Sequence, residues 1–200
     1  PAPKIARADI DELSRRAVEA LAGYDSLGTV ETMYSQGRFG FLEMNTRLQV
    51  EHGVTEEVTG VDLVGLQIRI ASGEKLSSLL LEQPKMDGYA VEARVYAEDP
   101  GSMLPCPGHL SVFRVPEMEG VRIEACYREG NTVTPYYDPL LAKVIGKGAT
   151  RETAIGRTLI ALRAMEVNGV KTNAPLLCRI LESARFIEAN LDTAFVGDLL

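Results

Sequence analysis

Five polar side chains stand at every second position from 43 to 51: Glu43, Asn45, Arg47, Gln49 and Glu51. The residues between them, Leu42, Met44, Thr46, Leu48 and Val50, are mostly apolar. Strict alternation is the pattern of an extended strand with one face buried and the other facing water or a ligand. On such a strand the polar row advances in steps of about 6.6 Å, twice the rise per residue. An ordinary solvated face mixes Lys, Ser, Thr and Glu. This one runs acid, amide, guanidinium, amide, acid, which suits a divalent cation at one end and an anion at the other. The plain alternative is an exposed strand face, common in antiparallel sheets.

The composition bounds what the rest of the chain can be. Two hundred residues, 46% hydrophobic and 24% charged, suit one or two globular domains with a real core. A formal net charge of −7 argues against a nucleic-acid surface. No apolar run approaches the ~20 residues that span a bilayer, so no membrane partner is expected. The start at Pro1 shows no charged n-region or apolar h-region, so no signal peptide is visible. Cys106, Cys126 and Cys178 are scattered, odd in number and without a C-x-x-C, which reads as reduced thiols in a reducing compartment. The localisation expected is therefore cytoplasmic, with mitochondrial as the alternative. With His52 and His109 the only histidines, a His-rich zinc site and a His-based triad are disfavoured on supply alone.

Several elements must position the polar row. Pro1 to Arg7 reads as a linker or cut edge. Asp9 and Glu12 resemble a capping box ahead of a helix with Ile10, Leu13, Ala17 and Leu21 inward and Gly23 as its stop. Gly28 to Ser35 reads as a strand, and Gln36-Gly37 turns it into the strand carrying the row. The hairpin brings Glu31 within reach of Glu43. Asp62 to Ser72, apolar at Leu63, Val64, Leu66, Ile68 and Ile70, reads as a mostly buried helix. Glu74 to Gly88, with Pro84, is looser, and a domain boundary is expected there. Short strands follow at Ala90–Ala97, Leu110–Val115, Val121–Tyr127 and Leu141–Lys147. Thr150 caps a helix to about Glu166, with Ile155, Leu159, Leu162 and Met165 inward. Asn173 caps another with Pro175 in its first turn, and Phe186 to Leu200 forms a short tail. The fold class is α+β, in two unequal parts, 1–82 and 87–198.

The segment Glu43-Met44-Asn45-Thr46-Arg47-Leu48-Gln49-Val50-Glu51-His52 resembles the E-M-N-T-R-[LI]-Q-V-E-H segment of biotin carboxylases, ATP-grasp enzymes that carboxylate biotin from bicarbonate. Further agreement lies in Val54-Thr55-Glu56, Val58–Val64, Ala97-Glu98-Asp99-Pro100, Pro135-Tyr136-Tyr137-Asp138 and Val170-Lys171-Thr172-Asn173. The resemblance implies the second half of an ATP-grasp domain followed by the biotin carboxylase C-terminal domain. It matches Glu31, Glu43 and Asn45 to a site for Mg²⁺ (or Mn²⁺) with ATP. Glu51 matches the base that deprotonates bicarbonate for attack on the γ-phosphate of ATP, giving carboxyphosphate. Arg47 matches the guanidinium that stabilises the biotin anion, Arg94 a second arginine for a bidentate oxyanion, and Gln49 with the Val50 backbone the bicarbonate contacts. Met33 and Phe195 fall where the family walls its adenine pocket, and ordinary core is the alternative for both. For each arginine the alternative is a salt bridge to a nearby carboxylate, such as Arg47 to Glu51 along the strand.

The implied partners are bicarbonate, a biotin carboxyl carrier domain, a carboxyltransferase and a second copy in a homodimer. The resemblance also places the rest of the ATP-grasp domain, with its Gly-rich lid, upstream of Pro1. The chain alone is thus expected to fold but to be catalytically silent. Gly53 stands after His52 where many acyl-CoA-linked relatives have Pro, which leans towards the urea carboxylase branch. Two other functions compete: an ATP-grasp ligase activating a different carboxylate, and a non-catalytic assembly or interaction module. The Gln49–His52 segment and Arg94 argue against the first, and the intact polar row against the second.

Overall fold

In a computed structural model of the protein, residues 5–35 and 37–199 are described. The chain divides into two compact units, one comprising residues up to His52 together with Gly60–Pro84, the other Gly53–Thr59 together with Lys85 onward. Both mix helix and strand, as the α+β reading anticipates. Among the described residues no helix is long and apolar enough to cross a membrane.

The first unit is built on a helix and a hairpin. Helix α1 spans Arg7–Ala20, strand β1 Thr29–Ser35 and strand β2 Arg38–Asn45. The expected capping box is not made: α1 begins at Arg7 behind Ala6, with no side-chain cap. Asp9 instead accepts a hydrogen bond from the Tyr34 hydroxyl (3.2 Å), and Glu12 binds Arg15 and Arg16 on the helix surface. The two arginines hold the Glu12 carboxyl down at about 2. Gly23, with φ +95, lies just beyond the helix end. The hairpin forms as expected, its register pairing Thr29 with Asn45, Glu31 with Glu43 and Ser35 with Arg38. Gln36, half of the expected turn, lies outside the described residues, as do Pro1 to Lys4 of the expected linker. Gly37 takes φ +75.

The alternating strand expected through Val50 stops at Asn45. Thr29, the first residue of β1, is already paired with Asn45, so no partner remains for Thr46 onward. The next eight residues from His52, HGVTEEVT, form helix α2 (His52–Thr59), which periodicity did not reveal. Helix α3 spans Leu63–Ala71, with the Asp62 side chain accepting from the Gly65 N–H at 2.8 Å. Its apolar residues are not buried as expected: Ile68 is 62% exposed. Leu63, Leu66 and Ile70 are only partly buried, and Val64 and Ile68 are exposed. A single turn, α4 (Leu76–Leu79), lies in the segment expected to be loose.

The second unit centres on a three-stranded antiparallel sheet in the order β3 (Tyr89–Tyr96), β8 (Leu140–Gly148), β6 (Val121–Ala125). Between them the expected strand Leu110–Val115 is reduced to β5 (Val112–Arg114), a further strand β4 (Gly108–His109) lies ahead of it, and Leu110 between the two is fully buried. Two strands too short to show a period complete the pairings: β7 (Thr132–Val133) with β4, and β9 (Glu166–Asn168) with β5. Helix α5 (Arg151–Ala164) starts where Thr150 accepts from the Thr153 N–H. Its Ile155 and Leu162 join Ala93, Val95 and Val144 in the core, with Leu159 and Met165 packed against them. Helices α6 (Ala174–Glu182) and α7 (Ala184–Ile187) follow, and part of the expected tail is a 3₁₀ turn, Gly197–Leu199.

Helix α5 approaches the sheet closely because Gly146 leaves room; a Cβ there would meet the Thr158 Oγ1 at 2.4 Å. The fully buried Thr158 hydroxyl accepts from the Gly146 N–H (3.1 Å) and lies within donating distance of the Val91 and Ala154 carbonyls. The other sheet face carries charge. Glu56 of α2 and Glu124 of β6 both bind Arg122, and Glu124 also binds the buried Lys143. Burial by itself would push the Glu124 carboxyl up, but the two cations outweigh it and hold it below the ordinary range.

Thr158→Val keeps the volume but removes the hydroxyl's hydrogen bonds to backbone groups that the β3–β8 ladder and α5 also serve, a loss of roughly 0.5–1.5 kcal/mol. A lowered urea midpoint with an unchanged slope is expected. An unchanged midpoint would show that these backbone groups do not need the hydroxyl.

Candidate functional site

The hairpin places two carboxylates directly opposite each other. Glu31 and Glu43 are register partners, and the ladder is bulged next to them: Glu31 faces Glu43, but Thr32 faces Phe41, leaving Leu42 as the extra residue. The bulge changes parity, so that Phe41 and Glu43, both odd, belong to opposite faces. Asn45, two residues beyond Glu43, shares its face. Its Nδ2 donates to Glu31 Oε1 at 2.8 Å and to Glu43 Oε1 at 3.2 Å. One amide thus bridges both acids.

The end of β2 at Asn45 shapes the remainder. Had the strand continued, Gln49 would lie about 20 Å beyond Glu43, at ~3.3 Å per residue. Instead the chain folds back, and Gln49 Nε2 lies 3.5 Å from the same Glu31 Oε1. The Gln49 Oε1 accepts from Arg47 Nη1 at 3.0 Å, and the Leu48 carbonyl accepts from the same nitrogen at 3.2 Å. The loop is pinned where it enters α2: the His52 N–H donates to the Gln49 carbonyl at 3.2 Å, and His52 Nδ1 lies 2.9 Å from it. The row expected along one strand is therefore split. Glu31, Glu43 and Asn45 stand on the hairpin; Arg47, Gln49, Val50 and Glu51 stand on the loop after it, all within the first unit.

The other expected site residues are placed differently. Met33, also on the hairpin, is 60% exposed. Arg94 lies on β3 of the second unit, where its Nε approaches Glu92 Oε1 at 3.4 Å. Glu92, its side chain only 5% exposed, went unremarked in the sequence, although Glu-x-Arg on a strand puts both side chains on one face. The Arg94 carbonyl accepts from Asn173 Nδ2 (3.1 Å), and the Asn173 Oδ1 accepts from the Tyr96 N–H (2.9 Å). Asn173 therefore stands at the N-terminus of α6 without a side-chain cap bond and clips β3 instead. Phe195 of the second unit is buried, with the Arg185 guanidinium 5.1 Å over its ring.

The remaining motif segments of the second unit have local tasks. The Asp99 carboxylate binds Lys171 Nζ at 2.5 Å and accepts from the Gly101 and Ser102 N–H groups, which together hold its carboxyl well below the usual range. Asp138 accepts from the Leu140 N–H at 2.9 Å, while Tyr136 and Tyr137 are exposed. Gly53 also has a local reason: a Cβ there would meet Ile145 Cδ1 at 2.4 Å. Packing against β8, not a special backbone angle, gives the glycine its local reason.

Two family profiles match the chain: the biotin carboxylase C-terminal domain over residues 92–198, and the carbamoyl-phosphate synthase L chain ATP-binding domain over residues 1–79. The chain is 46% identical over 191 residues to Biotin carboxylase 2 of Bacillus subtilis, covering 95% of this chain and 43% of that protein. It is 45% identical over 203 residues to the biotin carboxylase of Halalkalibacterium halodurans, covering 100% of this chain and 45% of that protein. It thus spans less than half the length of these relatives. Among solved structures it resembles the biotin carboxylase domain dimer of Hydrogenobacter thermophilus 2-oxoglutarate carboxylase, in complex with MgADP, ADP and bicarbonate. The TM-score is 0.93 at 38% identity, covering 99% of this chain and 44% of that one. These relatives give the leaning towards urea carboxylase no support. With the C-terminal domain profile matching more than half of its length, the chain belongs to the biotin carboxylase family.

Proposed function

We propose that this chain is part of a biotin-dependent carboxylase that uses MgATP and bicarbonate to carboxylate biotin borne on a carrier domain. The observation that carries the reading is the facing pair Glu31 and Glu43 with Asn45 between them. In this scheme residues 1–82 belong to the ATP-grasp domain and 87–198 to the C-terminal domain. The remainder of the ATP-grasp domain, a carboxyltransferase and a second copy of the chain are its partners.

The donor set fits the metal. Two carboxylates and an amide carbonyl are hard oxygen ligands, which Mg²⁺ prefers alongside water and nucleotide phosphate. When bound, the metal with its nucleotide supplies neutralisation of phosphate charge. Glu31 and Glu43 hold the cation, and Asn45 serves it by turning its Oδ1 inward. Met33 and Phe195 are the proposed apolar contacts for the nucleotide base.

The loop residues act on the other substrates. Glu51 takes the proton of bicarbonate, and Gln49 with the Val50 backbone orients it. Arg47 sets a fixed cation where negative charge develops, the most effective place for one. Arg94 offers a planar fork to an oxyanion, its guanidinium steadied by Glu92.

Mn²⁺ titration of the intact enzyme should show binding that strengthens with ATP and weakens in Glu43→Gln; equal binding in both proteins would remove the metal assignment. Glu51→Gln should slow biotin-dependent ATP cleavage by roughly 10²-fold or more, as for loss of a positioned proton acceptor, while ATP still binds. Near-normal turnover would move the base elsewhere.

A further inference from the structure

Gln49 joins the two halves of the site. Its oxygen takes a hydrogen bond from the Arg47 guanidinium, and its nitrogen faces a Glu31 oxygen. The charges fix this orientation, since a turned amide would set NH₂ against a cation and oxygen against an anion. Glu31 Oε1 is the shared acceptor, contacted by both Asn45 Nδ2 and Gln49 Nε2. The amide N–H groups of Asn45 and Gln49 thus address the same carboxylate oxygen that a cation would need, and the Arg47–Gln49 pair is tied to it.

We propose that Gln49 is a positioning residue that links metal loading to the anion site, an inference that rests on the function proposed above. A cation between Glu31 and Glu43 repels the Asn45 and Gln49 N–H groups and draws off the charge of Glu31 Oε1. Gln49 then loses its acceptor and is released, together with Arg47, towards bicarbonate. Without the cation, guanidinium, amide and carboxylate satisfy one another and the anion site is self-capped. Cation and anion therefore bind cooperatively through one side chain, and each raises the affinity of the other by the same factor.

The test measures Mn²⁺ binding to the intact enzyme by electron paramagnetic resonance, with a non-hydrolysable ATP analogue present, with and without saturating bicarbonate. In the wild type bicarbonate should tighten Mn²⁺ by at least about fivefold, the lower end of ordinary coupling. In Gln49→Met, equal in length but without hydrogen bonds, Mn²⁺ alone should bind at least as tightly, since no Gln49 amide competes for Glu31, and the factor should fall close to one at bicarbonate concentrations titrated to saturation in the variant. A direct Coulombic attraction does not need Gln49, so a coupling retained in Gln49→Met overturns the proposal. So does an absence of coupling in the wild type, or a loss of Mn²⁺ binding in the variant, which would make Gln49 a metal ligand. Bicarbonate that binds normally without coupling sinks this inference alone. Failure of the wild type to bind bicarbonate at all sinks the proposed carboxylase function with it.

Discussion

Two carboxylates face each other across adjacent strands, and the first unit is arranged around that conflict. Like charges directly opposite in a ladder destabilise it. At about 4 Å the repulsion is roughly 1 kcal/mol in water and about 4 kcal/mol at an effective dielectric near 20. A sheet keeps such a pair only if something positive or hydrogen-bond-donating stands between the acids. Asn45 does so from the same strand, and Gln49 reaches back from the loop. The bulge at Leu42 and the end of β2 at Asn45 are the backbone devices that allow both. A regular ladder would turn Glu43 to the other face, and a longer strand would carry Gln49 away.

This explains what could and could not be seen in the sequence. The hairpin was legible because strand patterns and Gly37 bracket it, and with it the nearness of Glu31 to Glu43. The resemblance supplied the residues proposed for metal and anion, and composition alone would not have singled them out. The geometry of the row was misjudged because alternation records side-chain parity, not hydrogen-bond partners. Thr46 to Glu51 alternate as a strand would, yet β1 offers nothing for them to pair with. A local pattern cannot report the length of its partner.

The second unit was legible in the same uneven way. Long strands and α5 showed their periods, and Thr150 fulfils its expected role at the start of α5. The two-residue strands β4 and β7 lie below the length at which a period exists. The charged sheet face was hidden for another reason. Glu56, Arg122, Glu124 and Lys143 come from three elements far apart in sequence, and only the fold brings them together. Asn173 was read as a helix cap, a sound local expectation, but a neighbouring strand with open backbone groups competed for its amide and won.

That competition bears on how the protein avoids the wrong kind of association. Strand β3 is an outer strand of its sheet, and an outer strand invites addition of a foreign strand and growth towards amyloid. Asn173 occupies that edge much as one residue of an extra strand would: its N–H donates to the Tyr96 carbonyl at 3.2 Å, and its side chain engages the Tyr96 N–H and the Arg94 carbonyl. A foreign strand pairing along this stretch of β3 would first have to displace Asn173, so the start of α6 guards the Arg94–Tyr96 edge.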